Sequence, residues 1–356
     1  MHTYKIGFWN YEKMGVIGAE KAASDWKDAG FNLAMTFEYD SQKNRPEEMI
    51  ELLDECEKRG IRAIVCDSRT RFFHYLEAGR EKFCEDAAAA VKQFGAHPAV
   101  YAFHIGDEPG GAEWEAAIES LKIVKAAAGK KKCFLNHFPV WHYDDQFEKY
   151  VGCKPDDYED KLTDFVRRSG AEILAFDCYS QCSYTDREFR QHEFIRNLRM
   201  FSSVAKKTGA ELFVSVLSVG HLNFRIPSQD DLRWQLNMSV AHGATGVLWF
   251  YFYQRFLEQN YRKSPVDMFG ERTETFANLA YENKVFFRYY AEKLSRCEIE
   301  SVAYAGMSYG SLPVVSTNME LKEAETFINA VPLCVTRWRK ADGAACYTFV
   351  NMHREL

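Results

Sequence analysis

Several patterns that would assign the chain to a common class of binding protein are missing from its sequence. No GxGxxG or GxxxxGK stretch occurs, which excludes the glycine-rich loops that hold dinucleotides and phosphates in open α/β sheets. No run of lysine and arginine is longer than three residues and the net charge is −6, so we expect no nucleic-acid partner. No hydrophobic run reaches the length of a membrane-spanning helix, and we expect no membrane partner.

The sequence also shows no secretory leader, because residues 4–11 already have the pattern of a strand and no basic start with an apolar stretch precedes them. We therefore expect a cytoplasmic protein, or a secreted one if a leader was removed. The ten cysteines are scattered through apolar segments, as in a reduced protein. Cys178 and Cys182 lack a matching second pair, so we predict no zinc site and no cofactor. The sequence does not indicate an oligomeric state.

The sequence does contain a regular alternation of short apolar runs and amphipathic segments. Segments 46–60 and 187–209 have the periodicity and the terminal residues that are typical of helices. Eight β-then-α units in about 300 residues predict an α/β protein, a (β/α)8 TIM barrel over residues 1–298. The eight predicted strands are 4–11, 31–40, 61–68, 99–108, 132–139, 172–180, 212–221 and 246–253.

Residues 299–356 follow a different pattern. They lack helical periodicity and contain a predicted hairpin turn at Asp342-Gly343. We expect a small antiparallel β region there, of the kind that a truncated β-sandwich would also produce. The chain is therefore predicted to consist of a barrel domain and a C-terminal β region.

The stretch AVYAFHIGDEPGG, residues 99–111, ends its predicted strand on two adjacent carboxylates. Carboxylates are poor strand formers, and the turn that follows needs Pro109 and the glycines but not the acids. Pro109 disfavours helical backbone at Glu108, so we expect Glu108 to be extended. Because barrel active sites lie at the carboxyl ends of the strands, we predict Glu108 at the mouth and Asp107 beside it as a supporting acid.

Alternation along three strands predicts which side chains face the barrel interior. Small or polar residues are assigned to the interior, namely Ala34, Thr36, Glu38, Asp40, Ala102, His104, Gly106, Glu108, Ala175, Asp177 and Tyr179. The large apolar residues between them are assigned to the helix layer, namely Leu33, Met35, Phe37, Tyr101, Phe103, Ile105, Leu174, Phe176 and Cys178. This assignment brings several carboxylates to one rim of the barrel.

The ending GDEPG, residues 106–110, resembles the Asn-Glu-Pro type ending of retaining glycosidase barrels, in which that glutamate is the acid/base. The segments FLNHFPVW and FRIPSQDDLRWQLNMSVAHGATGVLWFYFY also resemble relatives of β-galactosidase-like barrels of the clan A type. The resemblance covers residues 4–297. It implies a glycoside hydrolase with a carbohydrate substrate, Glu108 as the acid/base, and a β-sandwich after the barrel, which fits residues 299–356.

One departure from that family concerns its second catalytic residue. The family's nucleophile is a glutamate that ends the seventh strand, and here no carboxylate lies between Glu211 and Asp230. Asp177 is therefore our predicted partner of Glu108, at a separation of about 6.5–9.5 Å that suits an inverting mechanism. Burial among aromatic rings and the nearby charge of Asp107 are expected to raise the pKa of Glu108, as a proton donor requires.

We thus predict Glu108 and Asp177 as catalytic residues of a glycosidase. Rings that stack on sugar faces and polar groups that hold hydroxyls are predicted to bind the substrate. These rim residues are Trp9, Glu38, Asp67, Asp107, Asn136, His137, Trp141, Tyr179, His221, Trp249 and Tyr251. The structural interpretation of Glu108 is instead an ion pair with Arg69 or Arg225.

Two other functions fit the same rim. In a metal-dependent sugar isomerase or aldolase, Glu38, Glu108, Asp177 and His137 would bind one divalent ion. In a catalytically idle carbohydrate-binding barrel, the rim would hold a sugar without cleaving it. The missing glutamate on the seventh strand favours the idle barrel.

Overall fold

Eight parallel strands form a near-closed barrel with helices between them, which confirms the predicted fold class. The computed structural model describes residues 3–142, 145–184, 187–254, 260–305 and 332–352. The barrel strands are hydrogen-bonded in the order β1-β8-β7-β6-β5-β4-β3-β2. They are β1 (Lys5–Phe8), β2 (Leu33–Met35), β3 (Arg62–Val65), β4 (Val100–Asp107), β5 (Lys132–His137), β6 (Ile173–Asp177), β7 (Glu211–Leu217) and β8 (Ala244–Phe250).

The helices surround this sheet and confirm the two helical segments predicted from periodicity. Within the described ranges, none of them is both long enough and apolar enough to cross a membrane. The α-helices are α1 (Ala19–Asp28), α2 (Pro46–Lys58), α3 (Phe72–Ala78), α4 (Arg80–Phe94), α5 (Trp114–Ala128), α6 (Gln146–Val151), α7 (Tyr158–Ser169), α8 (Arg187–Thr208), α9 (Gln229–Ala241), α10 (Glu274–Phe286) and α11 (Glu292–Leu294).

Helix α2 illustrates why these segments are helical. It begins at Pro46, whose missing N–H and fixed φ suit the first turn, and two glutamates follow in that turn. Lys58 in the last turn is favourable at the negative end of the helix dipole. The buried side chains recur every three or four residues along one face, at Met49, Leu52, Leu53 and Cys56.

Asn32, which immediately precedes β2, links the first and second strands of the barrel. The Asn32 backbone N–H donates to Ile6 O at 3.2 Å. The Asn32 side chain accepts from Ile6 N at 2.9 Å and donates to Tyr4 O at 2.8 Å. One residue thus satisfies backbone groups at the edge of β1 that a continuous ladder would otherwise pair.

The alternation predicted for the second strand is wrong for Leu33, Ala34 and Met35, whereas Phe37 lies in the helix layer as predicted. Leu33 and Met35 pack in the barrel interior, whereas Ala34 and Phe37 pack between the barrel and the helices. The interior of an eight-stranded barrel is a packed core, so it takes large apolar side chains. Small size therefore does not identify an inward-facing position. On the sixth strand the alternation is confirmed: Ala175 and Tyr179 lie in the interior layer, and Leu174, Phe176 and Cys178 lie in the helix layer.

Strand β4 has two register shifts that change which of its residues face the site. The pairing with β3 skips Tyr101, whose ring packs in the barrel interior rather than in the helix layer. The pairing with β5 shifts again between His104 and Gly106. A Cβ on Gly106 would lie 2.2 Å from the ring of Phe72 in α3, so this position faces the helix layer. The directions predicted for Tyr101 and Gly106 are therefore wrong, and the bulge lets Asp107 face the barrel mouth.

Replacing Gly106 by alanine is expected to lower the free energy of unfolding by about 1–3 kcal/mol, because the new methyl group overpacks the site of Phe72. Urea or thermal unfolding measures this loss. Gly18→Ala is the matched control, since nothing lies within 4 Å of its added Cβ and its φ is −61°. Equal stabilities of Gly106→Ala and the wild type would contradict the close approach.

The C-terminal residues form a three-stranded antiparallel sheet, as predicted. Its strands β9 (Cys297–Ala305), β10 (Leu333–Lys340) and β11 (Ala345–Asn351) are ordered β11-β10-β9. The predicted turn joins β10 to β11, and Gly343 has the positive φ of 84° that it requires. Residues 306–331 of the predicted β region lie outside the described residues. The sheet contacts the barrel through α9, where Thr336 Oγ1 donates to Ala241 O at 2.9 Å.

Candidate active site

Three carboxylates meet at the carboxyl end of the barrel, and we call Asp107, Glu108 and Asp177 the carboxylate cluster. Asn136, near the end of β5, donates its Nδ2 to Asp107 Oδ1 at 3.1 Å and to Asp177 Oδ1 at 2.8 Å. The Glu108 and Asp177 carboxyls are hydrogen-bonded to each other, and Asp177 also accepts a bond from the Tyr179 side chain. The amide and the phenol therefore hold the cluster from both sides.

The backbone at Glu108 differs from the extended conformation expected from the following proline. Its φ is 46°, a left-handed value that costs a non-glycine residue about 1–3 kcal/mol. The Glu108 N–H donates to Asn136 O at 2.9 Å, which continues the β4–β5 pairing beyond the end of β4. Strained backbone of this kind is concentrated at functional sites, where it fixes the direction of a side chain.

The electrostatics of the cluster separate one proton donor from one carboxylate. Burial raises the pKa of Glu108 well above its usual range, and the charges of Asp177 and Asp107 raise it further. Burial also raises the pKa of Asp177, while hydrogen bonds from Asn136 and Glu108 favour its charged form. Of the two carboxyls, Glu108 therefore keeps its proton to higher pH, and in this form it is the hydrogen-bond donor to Asp177. The hydrogen bond brings the two carboxyls closer together than the predicted inverting separation of about 6.5–9.5 Å. The predicted separation is therefore wrong for this conformation.

Asp107 makes the stability of the protein depend on pH. Burial, with the Asp177 charge, raises the pKa of Asp107 from 3.8 to about 7. Between these values the unfolded Asp107 is ionised while the folded one keeps its proton, so stability falls as the pH rises. We expect a loss of about 4 kcal/mol from this group between pH 4 and pH 8, since each unit of pKa change corresponds to about 1.4 kcal/mol. Asp107→Asn should remove that part of the pH dependence in urea unfolding.

The control for this experiment is Asp164→Asn on the exposed side of α7, which should leave the pH dependence unchanged. Glu108 and Asp177 remain in the Asp107→Asn variant and keep their own contributions of the same sign. An Asp107→Asn variant whose stability falls between pH 4 and pH 8 as steeply as the wild type would contradict the raised pKa.

A cavity of about 280 Å³ lies beside Glu108 and Asp177. Its volume is near the lower end of small-ligand sites, about 300 Å³. Its walls combine aromatic rings with hydroxyl, amide and charged groups. They comprise Phe138, Pro139, Val140, Trp141, Cys178, Tyr179, Ser180, Ser183, Arg190, Glu193, Asn197, Asn223 and Phe224. Of the predicted substrate-binding residues, Trp141 and Tyr179 thus line this cavity.

A second group of rings lies in the upper part of the barrel interior. His221 stacks on Tyr261 with ring centroids 4.9 Å apart, and Tyr251 contacts the same tyrosine edge-on at 4.8 Å. Tyr11 contacts Tyr251 at 6.1 Å, and the charges of Asp107 and Asp177 help burial to raise its pKa. Trp9 lies beneath Tyr11, buried, with Nε1 donating to Ser215 Oγ at 2.8 Å. These rings connect the barrel core to the carboxylate cluster.

Two predicted substrate-binding residues point away from the mouth. Trp249 packs in the helix layer and donates Nε1 to Asn283 Oδ1 at 3.1 Å. His137 contacts the ring of Phe165 edge-on at 4.7 Å, with Nδ1 3.0 Å from Ala175 O. Both residues occupy strand positions whose side chains face the helix layer. The predicted contact of Trp249 and His137 with a substrate therefore does not fit the structure.

Two of the predicted rim carboxylates are also separated from the cluster. Glu38 is exposed, and its backbone forms an isolated β-bridge with Lys13. Asp67 is buried and binds Arg69 through Nε at 3.0 Å and NH2 at 2.7 Å. Because Arg69 is held by Asp67, and Arg225 by Asp231, neither arginine fits the predicted ion pair with Glu108. With Glu38 exposed and His137 turned outward, the four residues of the metal-dependent hypothesis do not converge.

Two further residues act on the carboxylate cluster without having been predicted, Tyr11 and Arg71. Tyr11 shares the inward parity of Trp9 at the end of the first predicted strand, a signal that was present in the sequence. Arg71 lies in the loop after β3, and its charge lowers the pKa of Asp107 against the effect of burial. The buried Nε of Arg71 has no hydrogen-bond partner among the described residues. No periodic signal identifies such a loop residue.

The comparison with solved structures concerns this barrel and its mouth. A β-galactosidase from Rahnella sp. R3 aligns with 86% of the chain at a TM-score of 0.63 and 11% identity. A β-galactosidase from Marinomonas ef1 aligns with 82% at a TM-score of 0.59 and 11% identity. A putative α-L-fucosidase from Bacteroides thetaiotaomicron aligns with 81% at a TM-score of 0.57 and 14% identity. The chain shares the barrel fold of these three proteins.

The lengths of these proteins differ. The chain spans 58% and 62% of the two β-galactosidases and 94% of the fucosidase. Neither a protein-family profile nor a curated protein sequence matches the chain. The structural likeness therefore establishes the architecture, and the carboxylate cluster carries the evidence for the chemistry.

Proposed function

We propose that the protein is a glycoside hydrolase that cleaves a glycosidic bond of an oligosaccharide or glycoconjugate by carboxylate acid/base catalysis. The observation that supports this most directly is the Glu108–Asp177 pair at the wall of a ring-lined cavity, where burial and the charge of Asp177 raise the pKa of Glu108 well above its usual range. Glycoside cleavage needs a proton for the leaving oxygen and a negative group for the developing oxocarbenium ion. The cluster offers both.

In the proposed reaction, the leaving oxygen replaces Asp177 as the acceptor of the Glu108 proton. Asp177 keeps its charge because the Asn136 amide and the Tyr179 side chain still bind it. The freed carboxylate then assists the positive charge at the anomeric carbon or takes a proton from the attacking water. The negative charge of Asp107 stabilises the protonated form of Glu108. Arg71 favours that charge, because it lowers the pKa of Asp107.

The experiment is turnover of a panel of 4-nitrophenyl glycosides by the full chain, with the anomer of the first product followed by proton NMR. We expect release of nitrophenol from at least one glycoside by the wild type. In Glu108→Gln we expect the loss of cleavage of a methyl glycoside or disaccharide of the same sugar, whose poor leaving group needs the Glu108 proton. Glu148→Gln, an exposed glutamate on α6, is the control and should keep the wild-type rate. Cleavage of that poor-leaving-group substrate at the wild-type rate in Glu108→Gln would contradict the proposed acid.

The idle carbohydrate-binding barrel is the second candidate, and a specific observation favours it. At the carboxyl end of β7, where the related glycosidases place their nucleophile, Leu217 and Val219 fill the interior with apolar groups. If this candidate holds, isothermal titration calorimetry will detect a sugar while no glycoside of the panel is cleaved. Cleavage of any glycoside that depends on Glu108 excludes it.

A further inference from the structure

A second cavity lies at the opposite end of the barrel from the carboxylate cluster. It has a volume of about 420 Å³ and is formed where β1, β3, β4 and β5 begin. We call it the lysine cavity, because Lys5, Arg62, Lys130, Lys131 and Lys132 line it. The remaining lining residues are Thr3, Asn32, Gly60 and Tyr101, so every charged residue of the lining is cationic.

One of these cations forms an ion pair with a carboxylate. Glu211, the first residue of β7, pairs with Lys132 at 2.6 Å through one oxygen. Its other oxygen accepts from the Tyr101 hydroxyl at 2.8 Å. The Tyr101 ring is covered by two ammonium groups, with Lys5 Nζ 5.4 Å and Lys132 Nζ 5.5 Å from the centroid. Of the five cations, Lys132 is thus the one with a carboxylate partner at ion-pair distance among the described residues.

Backbone carbonyl groups hold two of the cations in place. Lys131 Nζ donates to His97 O and Val100 O, both at 2.9 Å. Arg62 donates to Val100 O at 3.0 Å through NH2. A lysine or arginine side chain normally extends into water, where its charge is solvated. Here the side chains of Lys131 and Arg62 are already held by backbone carbonyl groups. Binding a ligand through their remaining N–H groups would therefore cost little additional side-chain entropy.

The positive field is strong enough to act on the lysines themselves. Burial lowers the pKa of Lys5, and the charges of Arg62 and Lys132 lower it further against the opposing effect of Glu211. Burial and the Arg62 charge also lower the pKa of Lys131. A bound anion would relieve this repulsion between like charges, which adds to the direct attraction.

We propose that the lysine cavity binds a small polyanion that carries phosphate groups. Compact ammonium charges and an arginine fork together suit tetrahedral phosphate oxygens, which accept several charged hydrogen bonds at once. The cavity is larger than a single phosphate needs and holds a diphosphate or a phosphorylated sugar. Since it opens at the amino ends of the strands, its ligand does not compete with a substrate at the carboxylate cluster.

The test is isothermal titration calorimetry of the full chain with inorganic pyrophosphate, in a phosphate-free buffer at constant ionic strength. The variant is Lys5→Gln/Lys130→Gln, which removes two charges without touching the carbonyl contacts of Arg62 and Lys131. We expect the affinity for pyrophosphate to fall at least about tenfold in this variant. The matched control is Lys27→Gln/Lys206→Gln, which removes the same charge from exposed helical positions.

Three outcomes would overturn the proposal. The first is no binding of pyrophosphate at millimolar concentration, and the second is an equal loss of affinity in the control variant. The third is equally strong binding of sulfate at matched ionic strength, which would indicate a diffuse ion atmosphere. Glu108→Gln should bind pyrophosphate like the wild type, so the proposal stands or falls independently of the glycosidase chemistry. Thermal unfolding of each variant checks that it is folded.

Discussion

Replacing Glu108 by glutamine is expected to lower kcat/KM by about 10³-fold or more on glycosides with poor leaving groups. Glutamine has the same size but no transferable proton, so the leaving oxygen departs unprotonated. On glycosides with an activated leaving group such as dinitrophenol, which needs no proton, the loss should be below about tenfold. The measurement is the dependence of kcat/KM on leaving-group pKa in the wild type and in Glu108→Gln.

The contrast between leaving groups separates an acid from a structural role. A residue that only supports the fold would reduce the rates of all glycosides by one factor, and the thermal midpoint would fall with them. Equal losses on activated and poor leaving groups would therefore overturn the assignment of Glu108. Glu148→Gln should show the wild-type leaving-group dependence.

Replacing Asp177 by asparagine is expected to cost at least about 10²-fold in kcat/KM and to shift the pH profile. The charge of Asp177 is the largest neighbouring contribution that raises the pKa of Glu108 after burial itself. Without that charge the pKa of Glu108 falls, so Glu108 loses its proton at lower pH. The alkaline limb of the kcat/KM profile should therefore move to lower pH.

Asp107→Asn provides the comparison, because the charge of Asp107 contributes less than that of Asp177 to the raised pKa of Glu108. Its alkaline limb should shift in the same direction by a smaller amount. A profile of Asp177→Asn that keeps the wild-type alkaline limb while the rate falls would show that Asp177 acts without influencing the Glu108 proton. The electrostatic model of the pair would then be wrong.

The number and order of the elements could be predicted from local pattern alone. A helix such as α2 is specified by residues within its own turns, from Pro46 at one end to Lys58 at the other. The hairpin turn at Gly343 likewise depends on a backbone conformation that glycine adopts without cost. Such signals are contained in a few neighbouring residues, so they do not depend on knowing what packs against them.

The directions in which the side chains point were harder to predict from the sequence. On β2 the rule that small residues face inward assigned Leu33 and Met35 to the wrong layer, because a barrel interior is filled like any other core. On β4 two register shifts reversed the parity before the strand reached Asp107. A bulge is set by pairing with neighbouring strands and by contacts such as that of Gly106 with Phe72, which lie far apart in sequence from one another.

The sequence by itself therefore determined the barrel, its C-terminal sheet and the acidic end of the fourth strand, since each is encoded by short-range periodicity and turn residues. Only the tertiary structure decided that Asp107 and Glu108 both join Asp177 around Asn136. It also placed Trp249 and His137 in the helix layer rather than at the rim of the barrel. The physical reason is that burial, hydrogen bonds and pKa values depend on residues brought together from different strands, and no local pattern records those contacts.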